Sequence, residues 1–366
     1  MKPSSPTLSG ILPSQAIQRL VEQGHIVLDR PLDCDQIQPA SLDLRLGTRA
    51  YRVRASFLPG RAHKVTTRLQ DVELHTFSLS EGAVLETGCV YIVPLMEHLN
   101  LPLEVAASTN PKSSTGRLDI FTRVISDHAI LFDKIEPGYH GPLFAEISPS
   151  TFPILVRAGS RLSQIRFRIG DPRIRDEELA RLHTAERLVD SEEALLASSV
   201  AVSIDLSGRG QQRLIGYRAK KHAGLIDVDR RGALDIQDFW EPLFARGTGS
   251  LVLDPSEFYI LASKEAVHVP PLHAAEMVAF DPLVGEFRVH YAGFFDPGFG
   301  HALAGGAGAR AVLEVRSHEI PFIVEDGQIV GRLVYERMLE RPARLYGEGE
   351  GSNYQGQGLK LSKHFR

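Results

Sequence analysis

The chain has 366 residues, which is too long for one ordinary domain and sufficient for two. Its residues are 43% apolar and 23% charged, a composition typical of soluble globular proteins, and no stretch approaches the roughly 18 apolar residues of a membrane span. The formal net charge of −4 argues against a dedicated nucleic-acid binder and leaves room for a local basic site for a small polyanion.

Cysteine usage and the N-terminus indicate the compartment. Two cysteines, Cys34 and Cys89, allow no disulfide framework and too few thiolates for a structural zinc site. No apolar signal-peptide core follows the first residues. A reducing cytoplasm is therefore the expected location.

A short helix is predicted near the N-terminus, followed by strands. Ser14 suits the N-cap, Ile17, Leu20 and Val21 lie on one helical face, and Gly24 fits the C-terminal stop. Beyond the helix, short apolar runs alternate with Pro and Gly; examples are residues 90–93, 154–156 and 164–167. This pattern predicts a mainly β protein with barrel or jelly-roll-like cores.

A polar, basic turn lies near the middle of the chain. It consists of Lys112, Ser113, Ser114, Thr115, Gly116 and Arg117. Ser, Thr and Gly around a tight bend expose backbone N–H groups, and the two cations add charge that can bind a phosphate. The pattern is too short to be specific, so a polar surface turn is the alternative interpretation.

A lone carboxylate follows within an apolar strand. Glu146 is flanked by Phe144, Ala145 and Ile147. If Glu146 were buried, desolvation would raise its pKa toward that of a general acid or base. The alternative is a strand residue that faces solvent.

The two halves of the chain resemble each other. Residues 85–102 match residues 253–270, and Glu146 matches Glu314, both at an offset of 168. The Glu136-Pro-Gly turn likewise matches Asp296-Pro-Gly. Repeats of this length indicate two copies of one domain.

The repeats define the predicted domain organisation. The interval 176–197 is rich in Glu, Leu, Ala and Arg with helical periodicity, which predicts a helical connector. The predicted order is a catalytic domain (1–170), the connector (171–198), a second domain (199–340) and a C-terminal tail (341–366). From Gly347 the tail is rich in glycine and poor in apolar residues, so it is expected to be mobile unless docked, and its deletion to leave the fold intact.

Four separated motifs resemble, in order, those of the dCTP deaminases of the dUTPase-like superfamily. They are residues 37–47, residues 112–117, residues 135–141 with Glu146 ten residues past Glu136, and the tail with Tyr346, Asn353, Tyr354 and Gln357. The first repeat plus the tail matches one whole family member. The resemblance implies two tandem dUTPase-like β-barrel domains. The second is a degenerate copy without a catalytic role for Glu314, because Asp281 and Gly285 align with Ser113 and Arg117.

The resemblance also implies a reaction. The family hydrolyses a C–N bond of a cyclic amidine without zinc: dCTP becomes dUTP and ammonia, which feeds dUMP and dTTP synthesis. Glu146 would take a proton from the water that attacks cytosine C4, Ser113 would position that water, and Arg117 would keep Glu146 ionised. The residues expected to bind the nucleotide are Lys112, Ser113, Ser114, Thr115, Gly116, Arg117, Glu136, Phe144, Ala145, Tyr346, Asn353, Tyr354 and Gln357.

Partners follow from the same resemblance. Mg²⁺ is expected to arrive with the substrate triphosphate, and dTTP is a candidate feedback inhibitor. The net charge and the lack of a long apolar stretch, by contrast, are the reasons to expect neither nucleic acid nor membrane as a partner. A homotrimer is expected, with sites built between repeats and the tail reaching from repeat two to a repeat-one site.

Departures from the family pattern leave other functions open. Lys112, Glu136 and Asn353 stand where the family has Arg, Asp and Lys, and the stretch from Arg117 to Pro137 is longer. One alternative is a dUTP pyrophosphatase, or a bifunctional dCTP deaminase and dUTPase. Another, of a different class, is a non-catalytic deoxynucleotide sensor.

Overall fold

The computed structural model describes residues 9–191, 194–208, 213–247, 249–279, 287–290, 293–317, 319–348 and 354–366. Strands predominate in these residues, which confirms the predicted mainly β class. They form two β-rich domains, called here the first domain (β1–β13) and the second domain (β14–β25). No helix among the described residues is long and apolar enough to cross a membrane.

The elements of the first domain run from residue 10 to residue 169. Its helices are α1 (Ser14–Glu22), α2 (Val65–Val72) and α3 (Ser113–Gly116). Its strands are β1 (Gly10–Ile11), β2 (Ile26–Leu28), β3 (Leu42–Leu44), β4 (Arg49–Val53), β5 (Glu73–Ser78), β6 (Ala83–Leu85), β7 (Val90–Asn100), β8 (Val105–Pro111), β9 (Ile120–Ser126), β10 (Lys134–Ile135), β11 (His140–Pro149), β12 (Ile154–Val156) and β13 (Ser163–Ile169).

The second domain follows helix α4 (Asp176–Glu186). It contains α5 (Ile236–Phe239) and a 3₁₀ turn (Ala302–Ala304). Its strands are β14 (Val200–Ser203), β15 (Leu214–Ala219), β16 (Ile226–Asp227), β17 (Trp240–Phe244), β18 (Ser250–Leu253), β19 (Phe258–Val267), β20 (His273–Ala279), β21 (Phe287–His290), β22 (Phe294–Phe295), β23 (Ala309–Ser317), β24 (Phe322–Glu325) and β25 (Ile329–Arg337).

Corresponding strands pair in the same order in the two domains. The order β5-β4-β7-β11-β9 of the first domain recurs as β17-β15-β19-β23-β21, and β6 with β12 recurs as β18 with β24. Strand β13, between β3 and β8, corresponds to β25, between β14 and β20. Glu146 on β11 and Glu314 on β23 therefore occupy corresponding positions of the two central sheets.

The two domains pack directly on each other. Strand β16 of the second domain pairs in parallel with β12 of the first, with Ile154 opposite Ile226. At the same junction Phe152 meets the rings of Phe239 and Trp240 edge-on, each at 5.6 Å between centroids. These contacts hold the two domains in one relative orientation, in which the turn at residues 112–117 of the first domain faces the sheet of the second domain that contains β23.

The corresponding sheet faces are covered differently in the two domains. In the first domain Ile92 and Phe144 form a small core with Val65 and Leu69 of helix α2. In the second domain Ile260 and Val312, at the matching positions, belong instead to the core of the first domain. The face that carries Glu314 is therefore turned toward the other domain, whereas the face that carries Glu146 is covered by its own helix.

The predicted helices lie close to their expected positions. Helix α1 begins at Ser14, but Pro13 is the N-cap, so Ser14 does not cap the helix as predicted. Ile17 and Leu20 are buried, and Gly24 has a φ of +75°, as a residue ending a helix often has. In the predicted connector, α4 is helical and residues 187–191 and 194–199 are not.

The end of the chain is docked at the junction of the two domains. Leu361 is buried in the core of the first domain, and Phe365 lies 5.4 Å from the Phe239 ring. Ser362 Oγ donates a hydrogen bond to the Ser114 carbonyl at 2.8 Å, and a ring nitrogen of His364 lies 2.8 Å from the Val228 carbonyl. Residues 359–366, part of the tail predicted to be mobile unless docked, are therefore docked, because apolar anchors follow the glycine-rich part.

Candidate active site

A cavity of about 380 Å³ lies between the two domains beneath the tail. The first domain contributes the basic turn that was singled out from sequence, and the second domain contributes the sheet face that carries Glu314. The lining residues most relevant to chemistry are Lys112, Ser113, Ser114, Arg117, Asp296, Val312, Glu314, Tyr346, Tyr354 and Gln357. Residues of both domains and of the tail of one chain thus line this cavity.

Arg117 and Glu314 meet in the buried part of the cavity. Arg117 Nε lies 3.8 Å from Glu314 Oε1, and the side chains are 3% and 7% exposed. Burial raises the pKa of Glu314 to about 8, although the positive charge of Arg117 acts to lower it. A carboxyl with this pKa can exchange a proton near neutral pH.

The tail holds Arg117 in place. The Arg117 guanidinium donates hydrogen bonds to the Lys360 carbonyl at 2.9 Å and to Gln357 Oε1 at 3.1 Å. It also lies 3.9 Å from the centroid of the Tyr354 ring, a cation–π distance. These contacts orient the arginine, because a planar guanidinium with two hydrogen bonds and one stacked ring has little freedom left.

Gln357 connects the tail to both domains. Its Oε1 accepts from Arg117 of the first domain, while its Nε2 donates to the Arg310 carbonyl of the second at 3.0 Å. Tyr346 Oη accepts a hydrogen bond from the Tyr354 backbone N–H at 3.1 Å. The tail residues predicted from sequence therefore close the cavity as a connected group. Asn353 lies outside the described residues.

The acidic turn at the cavity is that of the second domain. Asp296 is bonded to Arg166 at 3.2 Å, and Arg166 also reaches Glu336 at 3.2 Å. Burial raises the pKa of Asp296, and Arg166 opposes that shift. Sequence reasoning missed Arg166, since it is one arginine within a strand and its partners lie 130 and 170 residues away.

Tight packing joins this turn to the tail. The Tyr346 N–H donates to the Pro297 carbonyl at 2.8 Å. Gly298 has a φ of +97°, and a Cβ at that position would lie 2.8 Å from Leu345 Cβ and 2.9 Å from the Tyr346 carbonyl oxygen. A glycine is required here both for the backbone conformation and for the close approach of the tail.

The predicted phosphate-binding turn lies at the cavity only in part. Lys112, Ser113 and Ser114 line it, whereas Thr115 and Gly116 are buried within α3 and do not. The ammonium of Lys112 is paired with the Asp43 carboxylate, which also lies 3.5 Å from Arg161. Lys112 and Arg161 are therefore partly neutralised by Asp43.

The structure does not bring Glu146 to this cavity. Glu146 is 1% exposed and accepts a 2.6 Å hydrogen bond from Arg123, whose guanidinium lies 3.4 Å from the Phe132 ring centroid. The predicted grouping of Glu146 with Ser113 and Arg117 thus does not form within the chain. The physical reason is helix α2, which covers the sheet face from which Glu146 projects.

Other predicted first-repeat residues also lie away from the cavity. Glu136 is exposed at the end of β10, Phe144 packs under α2, and Ala145 faces the first-domain core. The cavity contains their second-repeat counterparts instead, Asp296 for Glu136 and Val312 for Phe144. Asp281 and Gly285, from which a degenerate second repeat was predicted, lie outside the described residues.

A metal centre does not emerge from the side-chain arrangement. In the part of the chain that the structure describes, no group of three or more His, Cys, Asp or Glu side chains is placed to hold a metal ion. Cys34 is exposed and Cys89 half-buried, and neither is disulfide-bonded.

Family models match nearly the whole chain. Residues 8–171 match the model described as the 2'-deoxycytidine 5'-triphosphate deaminase (DCD) N-terminal domain. Residues 175–365 match the model of the C-terminal domain of the same family. The two matched segments meet next to helix α4.

Individual proteins are similar to this chain over less than half of its length or over most of it. A dUMP-forming dCTP deaminase of Methanothermobacter thermautotrophicus is 32% identical over 161 residues, covering 43% of this chain and 78% of that protein. A dCTP deaminase of Haloarcula marismortui is 34% identical over 161 residues, covering 43% and 79%. The crystal structure of 2'-deoxycytidine 5'-triphosphate deaminase from Agrobacterium tumefaciens is 64% identical with a TM-score of 0.87, covering 90% of this chain and 99% of that one.

Proposed function

Because this chain belongs to the dCTP deaminase family, we propose that it catalyses the hydrolytic deamination of dCTP to dUTP and ammonia. The observation that carries the proposal is the meeting of Arg117 and Glu314 in one buried cavity, 3.8 Å apart, beneath Tyr354 and Gln357. Deamination at cytosine C4 requires a group that moves protons between water and the leaving amine, and a buried carboxyl with a pKa of about 8 is suited to that task.

Glu314, in place of Glu146, is the proposed proton carrier. In its ionised form Glu314 accepts a proton from the water whose oxygen bonds to C4, and it delivers the proton to the amine as the C4–N bond breaks and ammonia leaves. Arg117 stabilises the ionised carboxylate and the negative charge that develops during attack. Ser113, half-buried at the cavity wall, positions the water by hydrogen bonding.

Each chain is proposed to carry one complete site. The support is that both domains and the tail of one chain line the cavity. The homotrimer expected from the family resemblance remains a separate prediction about assembly. The matching strand order of the two domains supports their origin by duplication of one dUTPase-like domain.

Mg²⁺ is proposed to enter with the substrate, and zinc is proposed to be unnecessary. The triphosphate of dCTP needs charge compensation, whereas Cys34 and Cys89 lie on different loops and are both free thiols. A cytoplasmic location is proposed from the cysteine usage, and regulation by dTTP is proposed from the family resemblance.

A second candidate function is further conversion of dUTP to dUMP. Some similar proteins are named dUMP-forming dCTP deaminases. In addition, the acidic turn at this cavity carries Asp296, and an aspartate there is what a dUTP pyrophosphatase would use to activate water. Its ion pair with Arg166 argues for a structural role, which leaves simple deamination as the first proposal.

Product analysis tests these proposals. The purified chain is incubated with dCTP and Mg²⁺, and the nucleotides are separated by ion-exchange chromatography. Formation of dUTP supports deamination, and formation of dUMP with pyrophosphate, lost in Asp296→Asn, supports the bifunctional reaction. Unchanged dCTP that nevertheless binds the protein would support a nucleotide sensor and refute both catalytic proposals.

A further inference from the structure

Several cations line the cavity, and most of them already have partners. Lys112 and Arg161 share Asp43, and Arg161 also pairs with Asp35 at 2.8 Å. Arg117 is held by the tail. Among the described residues three lining cations, Arg231, Arg344 and Lys363, have no carboxylate within ion-pair distance.

Lys363 is the most firmly placed of these three. Its neighbours on both sides are buried and hydrogen-bonded, Ser362 to the Ser114 carbonyl and His364 to the Val228 carbonyl, both at 2.8 Å. Its own backbone N–H lies 3.4 Å from Tyr354 Oη. Lys363 is therefore held at the cavity wall, next to the turn that contains Ser114.

The charges around Lys363 are mostly of its own sign. Burial, together with the positive charges of Lys112, Arg231 and Arg161, lowers the pKa of Lys363 to about 8, and only Asp43 acts in the opposite direction. The nearby Asp229 is already engaged, since it bonds Ser160 Oγ at 2.7 Å and Arg157 at 3.3 Å. A half-buried ammonium among other cations is unfavourable unless an anion compensates it.

We propose that Lys363 and Arg231, together with Lys112, bind the terminal phosphates of the nucleotide and so select a triphosphate over a monophosphate. The inference rests on the proposed function for the identity of the nucleotide. It assigns a phosphate contact to Lys363, near the end of the chain. The family resemblance places a lysine ten residues earlier, at the position that Asn353 occupies in this chain.

The proposal predicts a loss of affinity that is confined to polyphosphates. The probe is inorganic tripolyphosphate, and its binding to the full chain is measured by isothermal titration calorimetry and by the rise in melting temperature. Lys363→Met should weaken binding about tenfold to a hundredfold, the range for one charged hydrogen bond, and Lys363→Arg should restore much of it. Arg366→Gln, which removes an exposed cation three residues away that does not line the cavity, is the matched control.

Kinetics give the second arm of the test. Lys363→Met should raise KM for dCTP with little change in kcat, and it should leave inhibition by deoxycytidine unchanged. Equal tripolyphosphate affinity in the wild type, Lys363→Met and Arg366→Gln would overturn the proposal. If the wild type binds tripolyphosphate through Lys363 but does not deaminate dCTP, the phosphate site stands and the proposed function fails.

Discussion

Replacing each of the two matching glutamates tests the proposal that Glu314 is the catalytic carboxylate and that Glu146 is structural. Glu314→Gln removes the proposed proton carrier from the cavity and keeps the size of the side chain and one hydrogen-bond acceptor. Glu146→Gln makes the same chemical change at the corresponding position of the first domain. We expect Glu314→Gln to lower kcat for dCTP by about 10²–10⁴-fold, the usual contribution of general acid–base catalysis, and Glu146→Gln to change it less than about threefold.

The two variants should also differ in the sign of their stability effect. The pKa of Glu314 is raised from 4.5 to about 8, so between these values the folded state binds a proton that the unfolded state has lost. Stability therefore falls as the pH rises through this window, by on the order of 5 kcal/mol when the shift is fully expressed. Glu314→Gln removes that dependence and should be more stable than the wild type at pH 8.5, with little difference near pH 5.

Glu146→Gln should instead destabilise the first domain. Two nitrogens of Arg123 donate to Glu146 Oε1, at 2.6 and 3.2 Å, and an amide oxygen replaces that charged acceptor only in part. Since Arg123 is 26% exposed, a loss of about 1–3 kcal/mol is expected. Steady-state ammonia release and urea unfolding at pH 5 and pH 8.5 measure both effects. Near wild-type kcat in Glu314→Gln, or a large loss in a folded Glu146→Gln, would refute the assignment.

Three further predictions concern the cavity and the tail. The kcat/KM for dCTP should rise about tenfold per pH unit up to roughly pH 8, because Glu314 must be ionised to accept a proton; a flat profile from pH 6.5 to 8 would contradict this. Phe365→Ala should lower the unfolding free energy by about 2–3 kcal/mol, since its half-buried ring packs on Phe239 and Trp240, and an unchanged melting temperature would mean that the chain end is not part of the core. Gly298→Ala should raise KM for dCTP several-fold, because the added methyl group would displace Tyr346. Gly232→Ala is the matched control, since Gly232 also has a positive φ but no atom lies within 4 Å of the added methyl group. Equal kinetics in the two variants would argue against a role for the contact between Gly298 and the tail.

The sequence alone determined the fold class, and it predicted two similar halves and the segments that carry the candidate site residues. Alternation of short apolar runs with Pro and Gly is a local property, so it predicts strands without knowledge of their partners. The turn at residues 112–117 and the tail residues Tyr346, Tyr354 and Gln357 were also recognised from sequence, and the structure brings Arg117 and these tail residues together. The resemblance to the dCTP deaminases, carried by these same segments, is confirmed by the family models.

Tertiary structure decided which of two equivalent glutamates faces the arginine. Glu146 and Glu314 lie in similar apolar strands at matching positions, so local sequence does not distinguish them. The choice depends on what covers each sheet face: helix α2 covers the first, and the whole first domain, with Arg117, covers the second.

Docking of the chain end likewise depends on tertiary contacts. A glycine-rich segment has little tendency to order by itself, and the sequence therefore favoured a mobile tail. Leu361 and Phe365 reverse that expectation because an apolar pocket formed by residues more than 100 positions away, Phe239 and Trp240 among them, is available to receive them. The free energy of burying these side chains comes from the partner surface, which local sequence does not reveal.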